Sequence, residues 1–104
     1  MAGNFHAARI QFSDQGTNQG DARVKIYWTP LHASSKPWTG PRLTVHLTRL
    51  SGTRITRTLH QPTVAHGADG RSFYPTDTPI PAPGRWKLEA STGQDTGCFI
   101  VTFT

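Results

Sequence analysis

Gly84–Phe103 reads GRWKLEASTGQDTGCFIVTF. Trp86, Leu88 and Ala90 alternate with Arg85, Lys87, Glu89 and Ser91, the period of two that belongs to a strand with one face in a core. Ser91–Gly97 carries glycines, an aspartate and small hydroxyls, the chemistry of a connecting loop. Phe99, Val101 and Phe103 then form a second apolar row, with Ile100 adding bulk on the other side. No other stretch of the chain is as densely apolar. The reading is two strands facing each other across a Gly-rich loop, at the centre of the core. Cys98, the one cysteine, falls inside the second strand and is expected to be a small packed residue.

Working back from this hairpin, a second one is well defined. In Arg42–Leu50, Leu43, Val45 and Leu47 share one face and Arg42, Thr44, His46 and Thr48 the other. In Arg54–His60, Ile55 and Leu59 are the inward residues. The two apolar rows share a face only if an odd number of residues connects the strands. A three-residue turn, Ser51-Gly52-Thr53, pairs Val45 with Leu59 and Thr48 with Thr56. It also sets Arg57 opposite Leu47 on the inward face, which marks an edge strand or a snorkelling side chain. The outward face becomes Arg42, Thr44, His46, Thr48, Arg54, Thr56, Thr58 and His60.

The other segments are shorter. Arg23–Trp28 is a strand with Val24, Ile26 and Trp28 on one face, ended by Thr29-Pro30. Ala8–Phe12 reads as a first strand, with Ile10 and Phe12 together. Ser13–Asp21 is a polar loop without the ligand spacing of a calcium-binding loop. Leu31–Pro41 is a loop with Trp38 at its tip, as a lid over the core or a binding anchor. Gln61–Gly70 is a further loop. Ser72–Tyr74 reads as a short strand cut off by Pro75, and Thr76–Pro83 as extended chain, because proline fixes φ and forbids helix.

The chain of 104 residues is expected to be one domain, 1–104, an all-β, antiparallel β-sandwich of about seven short strands. Only 16% of residues are charged, and ten aromatics stand in regular alternation, which argues against disorder. The strand spacing, Trp86 in the penultimate strand and the Gly-x-Phe-x-Val-x-Phe final strand resemble small bacterial immunoglobulin-like modules. The single Cys98 departs from the paired-cysteine pattern of antibody domains. That architecture hosts many roles, so the resemblance implies a fold and no particular activity.

Function is less legible. No nucleophile elbow, paired-carboxylate spacing or phosphate-cradling glycine loop occurs, so no catalysis and no cofactor is expected. The five histidines show no metal-ligand spacing, and His46 and His60, diagonal on one face, lack a third ligand, so no metal is expected. The net charge of +5 is dispersed. The expectation is a non-enzymatic interaction or structural module, extracytoplasmic or part of a particle, meeting a protein partner or a second copy of itself. Trp38, with Lys36 and Arg42 beside it, is the candidate contact set. The alternative is a polyanion, nucleic acid or acidic glycan, bound on the face of Arg42, His46, Arg54 and His60. No membrane span is expected, and MAGNFHAARIQF lacks the pattern of a signal peptide.

Overall fold

The structure, a computed structural model, describes residues 1–15, 22–30, 42–67, 72–93 and 95–104. Its elements are β1 (Ala2–Gly3), α1 (Phe5–Gln15), β2 (Ala22–Thr29), β3 (Leu43–Arg49), β4 (Thr56–Gln61), β5 (Ala65–His66), β6 (Ser72–Ile80), β7 (Gly84–Thr92) and β8 (Asp95–Phe103). They form an all-β sandwich of two antiparallel sheets, ordered β1-β2-β6-β5 and β4-β3-β7-β8, with α1 alongside.

The final hairpin lies at the core as its alternation predicts. Trp86, Leu88, Ala90, Val101 and Phe103 are buried together with Val24, Ile26, Trp28, Leu43, Val45 and Leu47. Thr92 pairs with Asp95, so the strands run through most of Ser91–Gly97, which the sequence assigns to a loop. Gly93, at φ +59°, supplies the left-handed turn that lets them run so far. The register of β3 with β4 is the one that the three-residue turn demands: Val45 opposite Leu59, Leu47 opposite Arg57, Thr48 opposite Thr56. β4 is an edge strand, and Arg57 reaches solvent from its inward face.

Three further expectations are overturned. Phe5–Gln15 is a helix, not a strand at Ala8–Phe12 followed by a loop from Ser13. Asn4 opens it, its carbonyl accepting the Ala8 N–H at 3.2 Å. Ala8 and Phe12, four apart, are buried, whereas Ile10 is 50% exposed. The helical period through Phe5, Ala8 and Phe12 prevails over the local alternation of Ile10 with Phe12. Secondly, β6 continues through Pro75 and Pro79 to Ile80. Thirdly, Cys98 is exposed, on the outward face of β8 beside Glu89.

The first two corrections share a cause at the edge of β2. The N–H groups of Arg23, Lys25 and Tyr27 donate to Gln15 Oε1 (3.0 Å), Gln11 Oε1 (2.8 Å) and Asn4 Oδ1 (2.7 Å). The helix therefore covers this edge with side-chain amides in place of another strand. Those three residues of β2 turn their backbone away from β6, so the residues opposite them, Pro79, Asp77 and Pro75, form the non-hydrogen-bonded pairs. The proline nitrogens face the other edge of β6, where no ladder bond is lost. Replacing Asn4, Gln11 and Gln15 together by Ala is expected to cost roughly 1–3 kcal/mol. Hydrogen exchange should quicken first at the amides of Arg23, Lys25 and Tyr27. Unchanged exchange at these three would remove the helix from its capping role.

Buried polar groups inside the sandwich are paired. Thr76 Oγ1 donates to the Ile26 carbonyl (2.8 Å) and accepts from Trp28 Nε1 (3.3 Å), while Thr78 lies 2.9 Å from the same oxygen. The Tyr74 hydroxyl meets Thr92 Oγ1 at 3.0 Å, tying β6 in one sheet to β7 in the other.

Candidate functional site

The residues singled out by sequence do not converge. Trp38 and Lys36 lie outside the described residues. His46 and His60 share the outward face of the β3–β4 hairpin, each bonded to a threonine across the ladder. His60 Nδ1 is 3.1 Å from Thr44 Oγ1, and His46 Nδ1 is 2.9 Å from Thr58 Oγ1. These bonds follow from register, which sets Thr44 opposite His60 and His46 opposite Thr58. Arg42 and Arg54 flank opposite ends of the hairpin, roughly 26 Å apart at ~3.3 Å per residue. On its other side His46 faces Glu89, and Thr44 faces Ser91. The middle of this face is therefore a field of hydroxyls and imidazoles beside one carboxylate, with the arginines at its two ends.

Connections gather at one pole of the sandwich. Leu43 pairs with Gln61, and Thr44 with Ser91. The Met1 ammonium, next to the Ala2–Thr29 pair, lies 3.5 Å from Asp95. The Tyr74–Thr92 bond joins the sheets at the same level. The chain consequently leaves β2 at Thr29, enters β3 at Leu43, leaves β4 at Gln61, passes between His66 and Ser72 and turns at Gly93, all at this pole. At the opposite pole short turns join β3 to β4 and β6 to β7, with Arg49 Nε donating to the Pro83 carbonyl (3.0 Å) and the Arg85 N–H to Ser51 Oγ (2.9 Å), and the chain passes from Gln15 of α1 to Ala22 of β2 at the same end.

A third surface has no counterpart in the sequence reading. The Arg85 N–H donates to Ser51 Oγ and its carbonyl accepts the Leu50 N–H (2.7 Å), so Arg85 turns its backbone toward β3. Alternate residues Trp86, Leu88 and Ala90 turn toward β8, where they pair with Val101, Phe99 and Gly97. Cys98, Ile100 and Thr102 must therefore direct their N–H and C=O groups away from the sheet. A groove runs along this edge, lined by Phe5, His6 and Arg9 of α1 and by residues 98–102 of β8. Phe5 holds the helix against β8 through Phe99 (ring centroids 4.7 Å), and Phe12 does so through Phe103 (5.4 Å). Ile100 is 55% exposed at the rim. The sequence conceals this groove because its helical wall reads as a strand; Asn4, a favoured N-cap residue type directly before Phe5, is the local signal of the helix, although its side chain bonds the Tyr27 N–H instead.

Among the described residues, no three His, Cys, Asp or Glu side chains are grouped to hold a metal ion. None of their helices is long and apolar enough to cross a membrane. No protein family, curated protein or solved structure matches the chain.

Proposed function

We propose that this chain is a non-enzymatic interaction module, an immunoglobulin-like β-sandwich that engages a protein partner through the loops at one pole. The order β1-β2-β6-β5 against β4-β3-β7-β8 corresponds to A-B-E-D against C′-C-F-G in immunoglobulin-type sandwiches. In that correspondence the β2–β3 and β7–β8 connections take the places of the B–C and F–G loops, which carry recognition in variable domains. The gathering of the strand ends at one pole carries the reading: the points where these connections leave and re-enter the two sheets lie together there. Trp38 and Lys36 belong to the β2–β3 connection, and Arg42 stands at its end.

The test replaces Trp38, Lys36 and Arg42 together by Ala and compares capture of proteins from an extract of the cells that make the chain. Loss of a captured protein, with the thermal midpoint preserved and little dependence on salt, is the expected result. Capture equal to the unaltered protein's, or capture abolished by salt and displaced by heparin, would overturn it. The second outcome would move binding to Arg54, His46 and His60.

A further inference from the structure

We propose that β8 is a docking strand: the groove between β8 and α1 takes an extended, acidic segment of a partner protein, which joins the β4-β3-β7-β8 sheet as a fifth strand. This surface flanks the sandwich and is separate from the loop pole.

The case begins with how the other edges are treated. An open edge pairs readily with foreign chains, and folds blunt edges with helices, prolines, inward charges or brevity. Here the β2 edge is covered by Asn4, Gln11 and Gln15. The free edge of β6 holds Pro75 and Pro79. β1 and β5 are two residues each. β4 carries the inward Arg57 opposite Leu47. β8 has no proline, inward charge or brevity; α1 packs beside it through Phe5 and Phe12, but among the described residues no side chain of the helix bonds the outward main chain of Cys98, Ile100 or Thr102, as Gln11 and Gln15 do on β2. It is nine residues long, and Cys98–Thr102 contains no proline and no charge. A strand whose outward main chain is left unbonded among blunted ones is a place for strand addition, in which main-chain bonds supply affinity and the flanking side chains supply selection.

Charge selects the occupant. The charge-bearing side chains of the groove are Arg9 and, when protonated, His6, both exposed on α1. The nearby carboxylates are engaged: Asp95 with the Met1 ammonium at 3.5 Å and Glu89 with Lys87 at 3.4 Å. A strand laid along β8 presents alternate side chains to the helical wall and to the outer rim. Carboxylates on the first set meet Arg9, and apolar groups on the second cover Ile100. A second copy of this chain, at net charge +5, would bring another Arg9 and meets this groove less well.

The test uses the full chain, isotope-labelled, with a short blocked peptide alternating glutamate and valine and a lysine–valine peptide as control. The glutamate peptide is expected to slow hydrogen exchange at the amides of Cys98, Ile100 and Thr102 by about tenfold or more. It should also slow alkylation of Cys98, while the lysine peptide does neither. Arg9→Glu, on the exposed helix face, should weaken binding about tenfold or more. Ile100→Pro removes the central outward donor without removing a bond of the fold, as Pro75 and Pro79 sit in β6, so it should keep the unfolding midpoint and lose the peptide. Equal protection by both peptides, none by either, or undiminished binding in Arg9→Glu would overturn the proposal. Amide protection that rises with protein concentration in the absence of peptide would also overturn it, and would assign the edge to self-pairing.

Discussion

Trp86→Ala is expected to lower the free energy of unfolding by about 3–5 kcal/mol, the range for removing a fully buried large aromatic side chain. Trp86 is 0% exposed and is one of the two largest side chains in the core, the other being Trp28. Its indole occupies the inner face of β7, a central strand, between neighbours Arg49 on β3 and Val101 on β8. The cost has two parts, apolar area returned to water and a cavity that strands held on both sides cannot close. The bond from Trp86 Nε1 to the Ala82 carbonyl, 3.0 Å, is lost as well. A domain of this size has about 5–15 kcal/mol in total, so the variant should be marginal. Trp86→Phe keeps most of the ring volume and loses the bond, and should cost roughly 1–2 kcal/mol. Urea unfolding reads both as midpoint shifts at constant slope. A midpoint unmoved by Trp86→Ala would take the final hairpin out of the centre of the core.

The parts of the fold that were legible are those in which one physical rule acts alone. In β2 every second residue is buried, as are Leu43, Val45 and Leu47 in β3 and Trp86, Leu88, Ala90 and Thr92 in β7, and alternation suffices to find these strands. The β3–β4 register followed from requiring Leu43, Val45 and Leu47 to share a face with Ile55 and Leu59. Failures came where tertiary contacts decide. Phe5–Gln15 has few apolar residues, and its Ile10 and Phe12 mimic alternation over a span too short to separate the two periods. What settles the helix is the fit of Gln11 and Gln15 to the bare N–H groups of Lys25 and Arg23, in a strand remote from them. By sequence alone Pro75 reads as a strand end, since proline forfeits a donor. That donor has no role on the outer side of β6, but which side a residue's N–H faces emerges only once β2 has paired.

The candidate site was less legible for the same reason. The outward face of Thr44, His46, Thr58 and His60 could be assigned, because faces are set by strand period. Its hydrogen-bonded His–Thr pairs, and the arrival of Glu89 beside His46, depend on which strands become neighbours. Cys98 sits in a run of apolar residues, which reads as burial. On an edge strand half of such a run faces outward, and Cys98 and Ile100 fall in that half. A groove between two elements cannot be found while one of them is misassigned, so Arg9 and His6 carried no signal.

The faces of β3 make the sharpest single test, because adjacent positions should respond oppositely. Leu47→Asp is expected to destabilise by at least about 4 kcal/mol, whereas Thr48→Asp should stay within about 1 kcal/mol of the unaltered protein. Leu47 is 0% exposed and lies between Leu88 and Arg57. A carboxyl there forfeits the leucine contacts and must be desolvated or protonated. Arg57 is the one cation directly opposite, and its guanidinium now reaches Thr56 O at 2.9 Å. If it swings inward it offsets part of the charge, so Leu47→Asp combined with Arg57→Ala should be worse than the sum of the two changes. Burial raises the folded-state pKa of the introduced carboxyl, so the folded protein holds its proton to higher pH than the unfolded chain. Stability therefore falls as pH rises from the ordinary value of ~3.9 through the raised one, and the penalty shrinks in acid. Thr48→Asp behaves otherwise because its half-buried side chain stands on the outward face opposite Lys87, which gains a second carboxylate beside Glu89. Equal losses from the two substitutions, with no pH dependence separating them, would mean that β3 turns neither face consistently to the core.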